Sequence, residues 1–220
     1  MPARERQTSV VSTLVEHAVA VLRDAVISGE IPPRSRILIE ETAARLGMSA
    51  IPVREALRTL ASQGLVVPLP RRGYRVADLS AEDVDDTYRL RVILDPMAVR
   101  LAVPQLDPEA LSDLDSAFDA LVKAYRSKDP ALTRQCHRAF HWAIYRHCGS
   151  QWLLRCLEIL WENSERYQQA SIPKRGTVEQ RAAEHREILH GCHAGDAELA
   201  AESMRHHLDK TRDTLRGLLK

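Results

Sequence analysis

Between Leu46 and Leu60 the chain reads as a turn feeding a short amphipathic helix, and this stretch limits what can surround it. Gly47 fits a helix stop, Ser49 an N-cap, and Pro52 is tolerated in the first helical turn. Val53, Leu57 and Leu60 fall on one stripe that must face a core, which leaves Arg54 and Arg58, four residues apart, on the other face. Gly64 ends this helix. Leu65-Val66-Val67 and Tyr74-Arg75-Val76 then read as two strands flanking Pro70-Arg71-Arg72-Gly73. Upstream, Val11, Leu14, Val15, Ala18, Leu22 and Val26 recur at helical spacing from Val10 to Ile27, and Gly29 stops the run. Pro32-Pro33 forces an extended link before a second short helix over roughly Glu40 to Leu46. Three helices and a basic two-stranded wing describe a winged helix-turn-helix over residues 1–79.

A capping sequence, Ser80-Ala81-Glu82-Asp83, opens a second domain over residues 80–220. Asp107-Pro108 and Asp129-Pro130 each pair a capping acid with proline at a first helical position. Gly149-Ser150, Ile172-Pro173-Lys174-Arg175-Gly176 and Ala194-Gly195-Asp196 separate the later segments. The result is an antiparallel all-α bundle of about six helices, so the fold class is mainly α.

Charge divides along the same line. Net charge is +1, but residues 1–79 carry 11 Arg and no Lys against 8 acids, which makes the N-terminal part the polyanion-facing one. No apolar run approaches a membrane span, and Met1-Pro2-Ala3-Arg4-Glu5-Arg6 lacks the apolar core of a signal peptide, so a cytoplasmic protein with no membrane partner is expected. Cys136, Cys148, Cys156 and Cys192 form no Cys-x-x-Cys pair and read as buried reduced thiols.

A helix docked in the major groove presents its N-terminal and outward side to base edges and phosphates. Ser49 can bond a phosphate, and Arg54 and Arg58 face outward. Arg71 and Arg72 at the hairpin tip can reach an adjacent groove or backbone, and Gly73 lets the tip come close. Double-stranded DNA is therefore the expected partner.

Eight of the nine histidines lie in residues 80–220. His137 and His141 form an i, i+4 pair on a face that continues through Ile144 and Cys148. His185 shares a stripe with Val178, Ala182, Leu189 and Cys192, and His207 one with Ala200, Met204 and Thr211; His206 is rotated toward solvent. Four inward imidazoles are expensive to bury without partners, and a divalent metal satisfies them better than four separate hydrogen-bonded core positions.

Two segments then resemble a known family. Leu22-Arg23-Asp24-Ala25-Val26-Ile27-Ser28-Gly29, Leu46-Gly47-Met48-Ser49, Pro52-Val53-Arg54-Glu55-Ala56-Leu57 and Gly64-Leu65-Val66 resemble the N-terminal domain of GntR-family transcription regulators. Arg54 is the family's DNA-contacting arginine that carries over; Glu40 and Ala50 stand where members commonly have Arg. Arg91 to Asp95, Phe140-His141, Glu184-His185, Gly195-Asp196 and His207-Leu208 resemble the FCD ligand-binding domain of the FadR branch. That resemblance implies a bundle holding a divalent metal, commonly zinc or nickel, on one Asp and three His. Carried over, the ligands are His141, His185 and His207, with His137 at the Asp position. An imidazole in place of a carboxylate makes the site one charge more positive and favours Zn²⁺, Ni²⁺ or Co²⁺ over Mg²⁺, Ca²⁺ or Mn²⁺. Arg91 either points into the cavity, where it would grip an effector carboxylate, or pairs with Asp95 one turn on.

The expected function is a homodimeric, ligand-responsive repressor that reads two half-sites of a near-palindromic operator and is switched by a small carboxylate effector. A metal sensor and a helical metalloenzyme carrying a DNA-binding module are the alternatives. The chain has neither a His-Glu-x-x-His motif nor a Gly-rich phosphate loop, and an enzyme is not expected.

Overall fold

A computed structural model describes residues 3–70, 72–127, 129–171 and 176–219, with side chains described from residue 13 onward except at 169–171. The chain divides into two compact units, Met1–Leu79 and Ser80–Lys220. Among the described residues no helix is long and apolar enough to cross a membrane.

In the first unit, α1 (Ala3–Ile27), α2 (Ile39–Leu46) and α3 (Ala50–Ser62) enclose the core. Ala18, Leu22 and Val26 of α1 meet Val53, Ala56, Leu57 and Leu60 of α3, all buried. The inward stripe of α1 begins later than its periodicity suggests: Leu14 is exposed, and the side chain of Val11 lies outside the described residues. Gly47 caps α2, its N–H returning to the Ala43 and Ala44 carbonyls, so α3 starts a few residues later at a new angle. The wing strands β2 (Val66–Leu69) and β3 (Gly73–Val76) pair antiparallel, and the Pro32-Pro33 link contributes a third strand, β1 (Arg36–Ile37). The order β1-β3-β2 places Pro68 on an edge, where its missing N–H costs no ladder bond. Gly73 has φ +82°, and a Cβ there would lie 2.6 Å from the Ile37 carbonyl oxygen, so packing between β1 and β3 itself demands glycine.

The second unit is a bundle of α4 (Ala81–Ala102), α5 (Pro108–Ser127), α6 (Pro130–Tyr145), α7 (Gln151–Ser171), α8 (Val178–His193) and α9 (Ala197–Leu218), with a 3-10 turn at Val103–Gln105. The caps lie where acids and hydroxyls precede the apolar runs. Ser80 Oγ accepts from the Asp83 N–H, Asp129 from Ala131 and Leu132, and Asp196 from Leu199. α4 is central, packing on α6, α7 and α9. Pro96 interrupts its ladder and cannot donate to the Val92 carbonyl, but Arg205 Nη1 of α9 donates to that oxygen at 3.0 Å. Of the cysteines, Cys148 and Cys192 are buried, whereas Cys156 is exposed; all four are free thiols.

α8 and α9 approach closely at Gly191, where an added Cβ would meet Ala200 N at 2.6 Å and Ala200 Cα at 2.7 Å. These helices also carry two of the four inward histidines, so their spacing sets the site. Gly191→Ala is expected to destabilise the protein by about 1–3 kcal/mol through overpacking, read as a lower urea midpoint; an unchanged midpoint would show that the helices do not depend on this contact.

Candidate nucleic-acid interface and histidine-lined cavity

The third helix separates its faces as the sequence pattern requires. Val53, Leu57 and Leu60 are inaccessible, whereas Arg54 and Arg58 are exposed. Arg54 has no ion pair among the described residues; Arg58 is bonded to Glu55 at 2.8 Å, a surface pair that holds it weakly. Ser49 occupies the N-cap position with extended backbone, but its side chain makes no capping bond, which leaves the exposed hydroxyl available. Arg72 is exposed at the hairpin tip, and Arg71 lies outside the described residues.

The wing adds a pair that linear reading missed. Arg36 of β1 stands directly opposite Arg75 of β3, and both are exposed. Like charges facing each other across a ladder are unfavourable by a few tenths of a kcal/mol or more. A polyanion laid along this face would turn that cost into attraction. The signal could not be read linearly, because the two arginines belong to strands separated by two helices and another strand.

In the second unit, α6, α8 and α9 bring His137, His141, His185 and His207 together. All four are buried, and each offers one nitrogen within 4.8 Å of the others. Trp161 of α7 closes one side, with ring centroids 5.3 Å from His137 and 4.9 Å from His141. Burial and then the neighbouring imidazoles hold the pKa of His141 well below the usual range, so its ring is neutral.

The partners of three rings fix which nitrogen is free to ligate. His185 Nδ1 lies 2.8 Å from the Arg181 carbonyl, which only accepts, so Nδ1 carries the proton. His207 Nδ1 donates to Glu184 at 3.0 Å. Tyr145 donates its hydroxyl proton to Asp95 at 2.8 Å, so its oxygen is left to accept from His141 Nδ1 at 3.3 Å. With Nδ1 of each ring engaged in this way, Nε2 is the nitrogen left to ligate. His141 Nε2 is buried with no hydrogen-bond partner. Burial opposes ionisation of Glu184, yet hydrogen bonds from His207 and Lys210 outweigh it and hold the carboxyl at about 2.

Arg91 takes the second of its two sequence-level alternatives. Its guanidinium is buried, bonded to Asp95 at 2.6 Å and Ser164 at 2.7 Å, and stacked 4.6 Å from the Trp161 ring centre. Burial works against its charge, but Asp95 more than restores it and leaves the pKa raised. The reading of Arg91 as a direct effector contact therefore needs correction, because a cavity of about 250 Å³ opens on another side of the histidines, lined by Tyr125, Gln180, Arg181, Glu184 and Lys210 among others and not by Arg91. Arg91 reaches the cluster indirectly, through Asp95, Tyr145 and His141. Arg181 and Lys210 are lining cations that sequence reasoning missed, since only the fold brings Arg181 over Tyr125 and Lys210 to Glu184.

A winged helix with outward arginines, continuous with a helical bundle that encloses a charged cavity, is the build of a DNA-binding transcription regulator. Residues 14–76 match the family described as "Bacterial regulatory proteins, gntR family", and residues 86–210 match the FCD domain. The chain belongs to the GntR family, in the group that carries an FCD domain. It is 30% identical to the HTH-type transcriptional regulator BphR of Paraburkholderia xenovorans (strain LB400), over 96% of this chain and 89% of that one. It is 29% identical to the HTH-type transcriptional repressor GlaR of Escherichia coli (strain K12), over 85% and 89%. Among solved structures, E. coli McbR/YncC superposes with a TM-score of 0.84 at 25% identity, covering 94% of this chain and 99% of that one.

Proposed function

We propose that this regulator is a homodimeric repressor whose bundle holds a divalent transition metal, zinc or nickel, on His137, His141, His185 and His207 and takes a small organic acid beside it. The observation that carries the reading is the set of buried rings whose Nδ1 protons are committed to Tyr145, Arg181 and Glu184, with His141 Nε2 buried and unbonded. Acceptors behind imidazoles are the usual way in which metal-binding histidines are aimed and made more basic. An ion at about 2.1 Å from each nitrogen needs opposing ligands within about 4.2 Å, so a 4.8 Å spread closes with small ring movements. All-nitrogen ligation suits zinc, nickel or cobalt. When bound, such an ion would offer a further coordination position to a carboxylate.

The DNA-binding reading assigns base contacts to Arg54 and Arg58. It assigns backbone contacts to Ser49, Arg71, Arg72 and the Arg36/Arg75 pair, with Gly73 giving the tip its geometry. Recognition of a near-palindromic operator calls for two copies. Leu90, Ile93, Met97 and Leu101 form an exposed apolar row along α4, which supports pairing of two bundles through that helix. Repression follows the relative named a repressor.

Two measurements follow. Arg36→Gln with Arg75→Gln is expected to weaken binding equally to operator and random DNA and to reduce the slope of log affinity against log salt by about 2; an unchanged slope would remove this pair from the interface. His141→Ala with His185→Ala is expected to abolish metal retained through purification, measured by elemental analysis. A double variant that keeps one ion per chain would place any metal elsewhere.

A further inference from the structure

Arg181 stands out among the groups lining the cavity. Its guanidinium carbon lies 4.3 Å from the centre of the Tyr125 ring, a stacking contact that fixes the plane of the fork. Tyr125 in turn packs edge-on to His185, with centroids 6.1 Å apart, so the cation is held one aromatic ring from the histidine cluster. Arg181 Nε is buried and has no hydrogen-bond partner, and among the described residues the guanidinium has no acid paired with it. A buried N–H of a charged group left unbonded is costly, and a carboxylate relieves it with a charge-assisted bond.

Charge balance in the cavity leads the same way. Lys210 bonds Glu184 at 2.9 Å, so these two cancel and Arg181 is the uncompensated charge among the described lining residues. The cluster itself is four histidines with no carboxylate among them, so it would not lower the charge of a bound ion. A divalent ion on four neutral imidazoles and a free guanidinium together present three positive charges to a ligand. A monocarboxylate leaves two of them unanswered.

We propose that the effector is a short dicarboxylate, one carboxylate directed to the histidine cluster and the second held by Arg181 against Tyr125. The cavity of about 250 Å³ is below the size range of drug-like pockets and suits an acid of roughly four to six carbons. The inference rests on the proposed carboxylate site at the histidines, but it assigns the second anchor to a residue that ligates nothing there. Arg181 holds His185 only through its backbone carbonyl, which substitution of the side chain leaves in place.

The test is calorimetric titration of the full-length, zinc-loaded protein with acids matched in length: succinate against butyrate, and adipate against hexanoate. At least one diacid is expected to bind about tenfold or more tighter than its matched monoacid, the strength of a charge-assisted bond pair. Arg181→Gln is expected to erase that difference while zinc content stays at the wild-type level, and Arg181→Lys to restore part of it. A wild type that binds neither diacid, or prefers neither over its monoacid, overturns the inference, as does a Gln variant that keeps the preference. A protein that holds no zinc but still distinguishes the acids through Arg181 refutes the metal site and leaves this inference standing. Zinc retained without any diacid preference does the reverse.

Discussion

Four imidazoles are packed into the interior of one helical bundle, and much of the second unit is arranged around aiming them. Burial alone depresses the pKa of His141, and its three histidine neighbours depress it further. The surroundings supply acceptors to three rings: a backbone carbonyl for His185, the Glu184 carboxylate for His207 and the Tyr145 oxygen for His141. The last of these works only because Asp95 accepts the hydrogen bond from the Tyr145 hydroxyl, and Arg91 donates to the same carboxylate. Removing either partner of such a buried pair typically costs about 3–5 kcal/mol, since it strands the other's charge. Arg91 thus serves the cluster as a positioning residue three hydrogen bonds removed from His141.

This arrangement also ties the histidines to α4, the helix whose first residues follow directly on the winged unit. Arg91 and Asp95 lie on α4, and their partners Ser164 and Tyr145 lie on α7 and α6. Nearer the helix start, Asp83 accepts from Tyr167 at 2.5 Å and from Asn163 at 2.9 Å, and Tyr167 also accepts from the Ser80 N–H. The bonded chain His141–Tyr145–Asp95–Arg91 links the histidine cluster to α4. On the proposed function, the bonds at Ser80 and Asp83 are where occupancy of the cavity would be communicated toward the winged unit.

Local chemistry made most of the fold legible. The caps at Ser80, Asp129 and Asp196, the stop at Gly47 and the apolar stripe of α3 are decided within a few residues of sequence, and the structure follows them. The four histidines were legible because each shares a helical period with apolar neighbours. What escaped depends on distant partners. β1 is two residues long and exists because β3 pairs with it, so neither it nor the Arg36/Arg75 juxtaposition leaves a periodic signal. The choice between two roles for Arg91 is made by Ser164 and Trp161 on another helix. Arg181 looks in sequence like any charged residue near the start of a helix, and only Tyr125 of α5, more than 50 positions earlier, distinguishes it.

The central claim is that the histidine-lined cavity and the winged helix are two ends of one equilibrium. It is tested most directly by fluorescence anisotropy with a DNA fragment from the region upstream of the gene, titrated with zinc-loaded protein at fixed salt, with and without saturating succinate or adipate. The account predicts that a bound diacid shifts the dissociation constant by about fivefold or more, and that the shift disappears when His141 is replaced by Ala. Equal DNA affinity in the two conditions, with calorimetry showing the acid bound, would contradict it.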